Sequence, residues 1–327
     1  MIFIKKTIKV KICDCGKNFD IKGFYLYQFL EKKYNVILSD KPDYIISSIF
    51  GVEHSKYNGI KIFYTGENLR PDFNLYDYCI GFDYIEFEDR YIRIPIYLLE
   101  DKYLSIFKYA QVKHLEKSNY KIRKKFCNMV CSNGSDQIRN ELFKKLCSYK
   151  KIDSGGKYMN NIGSPVKDKL EFQKQYKFSI AFENSRDNGY TTEKLIDAFA
   201  SGGIPIYYGD PLVGKIFNKK AFIDLNDFKT INEAIEYIKK IDNDDKLYLE
   251  YIKEPMLLDE KYLEKEFKRI DLFLTNIFDK DIKNAKRVSN SAFTIVYNKN
   301  NRILEKYIGL KNIMYDVITK INHNFKK

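Results

Sequence analysis

The sequence predicts an α/β protein with two doubly wound parallel sheets. Short apolar runs alternate with amphipathic helical stretches, the pattern of βαβ units. The alternation comes in two blocks, and 327 residues exceed what one hydrophobic core usually supports. Four segments are expected: 1–120 and 121–265 as Rossmann-like domains, 266–295 as a helical return, and 296–327 as a basic amphipathic helix.

In the first block "IKVKICDC" is a strand, and "KGFYLYQFLEKKY" is a helix with Phe24, Tyr27, Leu30 and Tyr34 on one stripe. "DYIISSIFG" and "IKIFYTGE" are further strands. The second block opens with the strand "KFCNMVCS", which runs through Asn133-Gly134 into the helix "SDQIRNELFKKLCSYK". "YKFSIAFE" leads through a polar loop to the helix "TEKLIDAFA". Thr191 or Thr192 can cap that helix, and Ser201-Gly202-Gly203 ends it. "IPIYYG" is the next strand, and "TINEAIEYIKKI", "KLYLEYIKE" and "EKYLEKEFKRIDLFLTNIFD" follow as helices.

Composition narrows the class. With 44% hydrophobic and 31% charged residues and few Gly or Pro, this is a folded chain. Its six cysteines form no CxxC pair and its three histidines are scattered, so a structural zinc site is not expected. The cysteines read as reduced thiols of a cytoplasmic protein. The N-terminus lacks the apolar core of a signal peptide, and no run approaches the ~18 apolar residues of a membrane span. The expectation is a protein neither secreted by that route nor membrane-spanning.

The net charge is +13, and residues 281–327 carry ten Lys and Arg against three Asp and Glu. Within that tail Ile303, Leu304, Tyr307, Ile308, Leu310, Ile313, Met314, Val317, Ile318 and Ile321 recur at helical steps. Such a helix either packs on the protein body or attaches to an anionic membrane surface. A basic nucleic-acid-binding or lipid-binding protein without catalysis is the third class to weigh. The basic excess sits in the tail and no nucleic-acid motif occurs, so no nucleic-acid partner is expected.

Residues 181–211 concentrate Glu183, Asn184, Tyr190, Glu193 and Lys194 between a buried strand and a helix. In a doubly wound sheet, ligands bind beyond the carboxyl ends of the strands, where helix N-termini attract phosphate. Lys194 in a first helical turn suits a leaving-group oxygen, and Glu193 suits a ribose diol. Arg139 occupies the start of another helix and is the better bidentate phosphate partner. The same residues also fit a capped helix with solvated charges. Glu67, delivered by "IFYTGE" before the Pro71 turn, is a candidate general base or a solvated loop carboxylate. No GxGxxG follows a strand, so a nicotinamide or flavin site has no support, and no GxxxxGK[ST] occurs, which removes the P-loop NTPases. Asp242-Asn243-Asp244 and Asp279-Lys280-Asp281 have DxD spacing but lie in charged stretches near helix ends.

Three blocks resemble one family. "YKFSIAFENSRDNGYTTEKLIDAFASGGIPIYYGDP" is similar to the signature of the α1,3/α1,4-fucosyltransferases, glycosyltransferase family 10. "FYTGENLRPDFNLYDYCIGFD…DRYIRIP" and "IRNELFKKLCSYKKIDSGGKYMNN" resemble two further family blocks in the right order. The resemblance covers about residues 8–275 and is nearest the soluble bacterial members. It implies a GT-B architecture, two Rossmann-like domains facing a cleft, with a C-terminal helical extension. The first domain would take the acceptor and the second GDP-fucose.

Carried over by motif, Glu67 matches the general base and Arg139 the phosphate-binding arginine. Asn184, Tyr190, Glu193 and Lys194 match nucleotide-sugar contacts, with Glu193 on the ribose and Lys194 on the diphosphate. Tyr208 stands where the family usually has Trp. The implied reaction is inverting α1,3- or α1,3/4-transfer of L-fucose from GDP-fucose to GlcNAc of a Galβ-GlcNAc acceptor, as in Lewis-type glycan synthesis. No metal or other cofactor is required. A GT-B enzyme using another nucleotide sugar is the alternative. The expected location is cytoplasmic, with the tail at the inner face of the membrane.

Overall fold

The computed structural model describes residues 5–115, 122–304, 306 and 307. The described chain forms two compact units, each built on its own parallel sheet. One comprises the chain up to Gly81, Ile85–Ile94 and the chain from Lys268 on. The other comprises Phe82–Tyr84 and Pro95–Phe267.

The first unit holds β1 (Thr7–Cys13), α1 (Tyr25–Lys33), β2 (Asn35–Leu38), β3 (Tyr44–Ser47), β4 (Ile60–Tyr64), β5 (Tyr78–Gly81) and β6 (Tyr91–Arg93). Its six strands lie in the order β2-β1-β3-β4-β5-β6, all parallel. Every residue of β3, β5 and β6 is buried, as expected of parallel strands covered on both faces. The α1 stripe is as the spacing predicts: Phe24, Tyr27, Leu30 and Tyr34 are all buried.

The second unit begins with α2 (Ile96–Leu99) and α3 (Asp101–Leu115). It continues with β7 (Lys125–Met129), α4 (Gln137–Cys147), β8 (Ile152–Ser154), α5 (Lys169–Gln173), β9 (Tyr176–Phe182), α6 (Glu193–Ser201) and β10 (Ile204–Tyr208). After β11 (Ile223–Asp224) come α7 (Ile231–Asn243) and α8 (Asp245–Lys253). Helix α9 (Tyr262–Phe278) belongs to the second unit up to Phe267 and to the first unit from Lys268, and α10 (Ile282–Ala285) belongs to the first unit. The five-stranded sheet has the order β11-β10-β9-β7-β8, again all parallel.

The units are not the expected segments. Residues 95–115 fold with the second sheet, because α3 packs along α6 and Phe107 stacks on Tyr97 at 5.2 Å. Of the described residues, those from Lys268 on fold with the first sheet. There Phe278 packs on Tyr44 at 4.6 Å, and Arg287 and Lys280 bind Asp89. Of the expected basic helix, residues 292–304 are helical, and 308–327 lie outside the described residues.

In the second unit the switch in winding direction falls between β7 and β9. From β7 the chain passes through α4 to β8 on one side, and from β9 through α6 to β10 on the other. Such a point opens a crevice beyond the carboxyl ends of two adjacent strands, where doubly wound sheets bind their ligands. The corresponding point in the first sheet lies between β1 and β3.

Candidate active site

Helix α6 begins where its sequence says it should. The N-cap is Thr192, whose hydroxyl oxygen accepts from the Lys194 backbone N–H, and Gly202 ends the helix at φ 73°. Leu195, Ile196 and Phe199 are buried and pin the helix to the sheet. Glu193 and Lys194 therefore sit in its first turn, beyond the end of β9. Both are partly exposed, and Asn184 is exposed in the loop before them.

Beneath this turn lies a buried carboxylate. Glu183 directly follows β9, and its backbone N–H donates to the Tyr208 carbonyl at 2.9 Å. Its side chain accepts from the Thr192 N–H at 2.7 Å, from the Thr192 hydroxyl at 2.6 Å and from Lys194 Nζ at 3.1 Å. Burial pushes the Glu183 carboxyl above its usual range, and Lys194 and Thr192 pull it partly back. Gly209 makes room for it, since a Cβ there would come within 2.5 Å of Glu183 Cγ.

A second buried carboxylate ties down the preceding loop. Asp210, after β10, accepts from the Gly189 N–H at 2.7 Å, the Thr191 hydroxyl at 3.0 Å and the Leu212 N–H at 2.7 Å. The Asp210 N–H donates to the Tyr207 hydroxyl at 3.0 Å. Tyr190 is buried, its ring edge-on to Phe82 at 5.1 Å, so it forms part of the loop's apolar underside.

Arg139 lies in the first turn of α4, beyond β7. Asp136 caps this helix by accepting the Arg139 N–H at 2.9 Å. The residue is buried, and its Nη2 donates to the Asn133 carbonyl. Its Nε is buried with no hydrogen-bond partner among the described residues. A buried guanidinium donor left unpaired is costly, and an anionic oxygen would satisfy it. The adjacency of β7 and β9 brings the α4 and α6 starts, with Arg139, Glu193 and Lys194, to one edge of the sheet, at the switch point. Two helix N-termini and two cations there can hold a diphosphate.

Glu67 belongs to the first unit. Its N–H donates to Thr65 Oγ1 at 2.9 Å, its carbonyl accepts from the Leu69 N–H at 2.8 Å, and the residue is exposed beyond the end of β4. Arg90 braces the loop that follows, donating to the carbonyls of Phe73, Tyr76 and Asp77 at 2.6, 2.8 and 3.0 Å.

Sequence reasoning found the Thr192 cap but missed Asp210, which orders the loop before it. It placed Glu183 only among the polar groups of the loop between β9 and α6. The structure assigns Glu183 differently: its carboxylate is enclosed and occupied by Thr192 and Lys194. Only an acid directly after an apolar strand, faced by a Thr-Thr pair, hinted at this in the sequence. In each DxD segment the first aspartate is taken up by lysine and tyrosine side chains. Asp242 binds Lys150, Lys177 and Tyr149, and Asp279 binds Lys33 and Tyr34. Among the described residues no cluster of three metal-ligating side chains occurs.

Comparison with known proteins identifies the family. Residues 10–100 match the α-(1,3)-fucosyltransferase FucT N-terminal domain, and residues 119–261 the C-terminal domain of glycosyltransferase family 10 (fucosyltransferase). The chain is 35% identical to the α-(1,3)-fucosyltransferase FucT of Helicobacter pylori over 84% of its length, and spans 66% of that protein. It is 32% identical over 52% of its length to a putative fucosyltransferase of Acanthamoeba polyphaga mimivirus, of which it spans 31%. A crystal structure of an α1,3-fucosyltransferase with GDP-fucose superposes with a TM-score of 0.67 at 31% identity, covering 86% of this chain and 94% of that one. The same enzyme activity with GDP bound gives 0.68 at 30% identity, over 83% and 92% of the two chains. With two parallel doubly wound units and these matches, the chain belongs to glycosyltransferase family 10, the fucosyltransferases, and has their GT-B fold.

Proposed function

We propose that this protein transfers L-fucose from GDP-fucose to the GlcNAc of a Galβ-GlcNAc glycan. Transfer proceeds with inversion and forms an α1,3 linkage or both α1,3 and α1,4 linkages, as in Lewis-type glycan synthesis. The observation that carries the reading is the pair of cations at the switch point of the second sheet: Arg139 with its unpaired buried Nε, and Lys194 in the first turn of α6. The solved relative with GDP-fucose supports the choice of donor.

In this reading the second unit takes GDP-fucose. Arg139 and Lys194 hold the diphosphate, Glu193 the ribose, and Asn184 the rest of the donor, while the buried Tyr190 carries the loop from its underside. The first unit takes the acceptor and supplies Glu67. The acceptor hydroxyl oxygen attacks C1 of fucose as the C1–O bond to the diphosphate breaks, and Glu67 removes the hydroxyl proton. Positive charge grows on the sugar ring and negative charge on the departing GDP. Cations fixed beside that oxygen stabilise the transition state more than the ground state. Each is worth about a hundredfold in rate, and a general base ~10²–10⁴.

The C-terminal helix would place the enzyme at the cytoplasmic face of an anionic membrane. Phe293 is 90% exposed, Ile295, Val296 and Leu304 are more than half exposed, and Lys299 shares that helix. A donor panel tests the central assignment: GDP-fucose should be consumed far faster than GDP-mannose or UDP-galactose. Preference for another nucleotide sugar would favour a related transferase instead.

A further inference from the structure

Lys194, the cation proposed to meet the diphosphate, is held from below. The Glu183 side chain is 0% exposed and that of Lys194 24% exposed, with 3.1 Å between Oε2 and Nζ. The same Oε2 accepts from the Thr192 hydroxyl, and Thr192 Oγ1 lies 3.3 Å from Nζ. Carboxylate, hydroxyl and ammonium thus form a closed triangle under the first turn of α6.

Capping alone does not explain the carboxylate. Thr192 already caps the helix through its own oxygen, and a charge taken out of water carries a desolvation cost that a neutral group would avoid. The other groups facing Glu183 do not relieve that cost. Glu193 is a like charge, and the nearby Tyr207 is neutral. Lys194 is the opposing charge. A lysine also has a long, rotamer-rich stem, and a catalytic cation acts best when it is in place before charge develops.

We propose that Glu183 is a positioning residue for Lys194: it fixes the ammonium at the α6 N-terminus, ready for the diphosphate of the donor. This rests on the donor site proposed above. Glu183 touches neither substrate nor the reacting atoms. It acts through Lys194, so its effect must vanish when Lys194 is absent.

The test is a double-mutant cycle on the full chain with Glu183→Gln, Lys194→Ala and the double variant. GDP-fucose affinity is measured by calorimetry without acceptor, and kcat and KM with N-acetyllactosamine. Glu183→Gln keeps the side chain's shape and one acceptor for Thr192. It should lower kcat by about tenfold or more while changing GDP-fucose affinity by less than about threefold. In the Lys194→Ala background it should lower kcat by less than about twofold. An equal loss in both backgrounds, or an unchanged kcat in the single variant, overturns the proposal. If Glu183→Gln does not fold, NMR of the lysine ammonium groups in the wild-type protein decides. A protected Lys194 signal that shifts on adding GDP-fucose supports it, and a freely exchanging ammonium contradicts it. Wild-type protein that fails to bind GDP-fucose would instead refute the donor assignment.

Discussion

Asp210 reaches across from the end of β10 to bind Thr191 Oγ1 at 3.0 Å, two residues before α6 begins. With its bond to the Gly189 N–H, this fixes the loop between β9 and α6 to the neighbouring strand. Asp210→Ala removes the acceptor of two buried donors, each costing about 1–3 kcal/mol, and of the part-buried Leu212 N–H. The variant should melt at lower temperature and bind GDP-fucose more weakly, as read by calorimetry.

Lys194→Ala and Arg139→Ala should each cut fucose transfer by about 100-fold, because charge developing on the diphosphate loses a fixed partner. GDP binding should weaken as well. Steady-state kinetics of both variants check this, and near-normal turnover in both would remove the diphosphate clamp from the account.

Glu67→Gln separates chemistry from donor binding. The substitution keeps size and hydrogen-bonding reach but removes the basic carboxylate from a residue of the other unit. Transfer should fall ~10²–10⁴-fold with GDP affinity within a few-fold of the wild type. A normal rate would place the base elsewhere, and the enclosed Glu183 is not its replacement.

Divalent metal should be dispensable. In the proposed mechanism Arg139 and Lys194 supply the positive charge that a metal supplies in other transferases, and Asp242 and Asp279 are engaged by lysines. Activity should persist in EDTA. Complete loss restored by Mn²⁺ would contradict the assigned donor site.

In the first unit Asp14 directly follows β1 and binds the turn after β3. It accepts from the backbone N–H groups of Glu53 and His54, both at 2.9 Å, and pairs with His54 Nδ1 at 2.8 Å. Burial raises the Asp14 carboxyl, but His54 and the two N–H groups outweigh it and hold it below its ordinary value near 3.8. A carboxyl depressed by folding contributes stability that is full above its unfolded value and is lost as pH falls through its folded one. The stability advantage of the wild type over Asp14→Asn should therefore hold at neutral pH and shrink below about pH 4. Urea titrations at several pH values measure it. Gly51→Ala should destabilise by about 1–3 kcal/mol, since a Cβ there would lie 2.3 Å from Asp14 Oδ1.

Much of this was legible because it is local. The α6 cap at Thr192, its end at Gly202 and the stripe on α1 follow from residue types at fixed steps. The motif residues Arg139, Glu193 and Lys194 do lie at helix starts. The short strands β2, β5 and β6 went unread: with three or four residues each they hold too little pattern to separate from a loop. Residues 95–115 were assigned to the wrong sheet because an amphipathic helix shows which face it buries, not against what. Asp210 and Glu183 look in sequence like any loop acids. Their roles come from partners that arrive from another strand or another turn, 9 to 21 residues away.

Product analysis addresses the central claim most directly. Purified protein is incubated with GDP-fucose and the type 1 and type 2 Galβ-GlcNAc disaccharides, and the product is examined by mass spectrometry and NMR. The account predicts release of GDP in step with a fucosylated disaccharide, joined at GlcNAc by a newly formed α-linkage. Binding of GDP-fucose without any transfer to either disaccharide would contradict the proposed acceptor. Turnover of a different nucleotide sugar with GDP-fucose untouched would contradict the account as a whole.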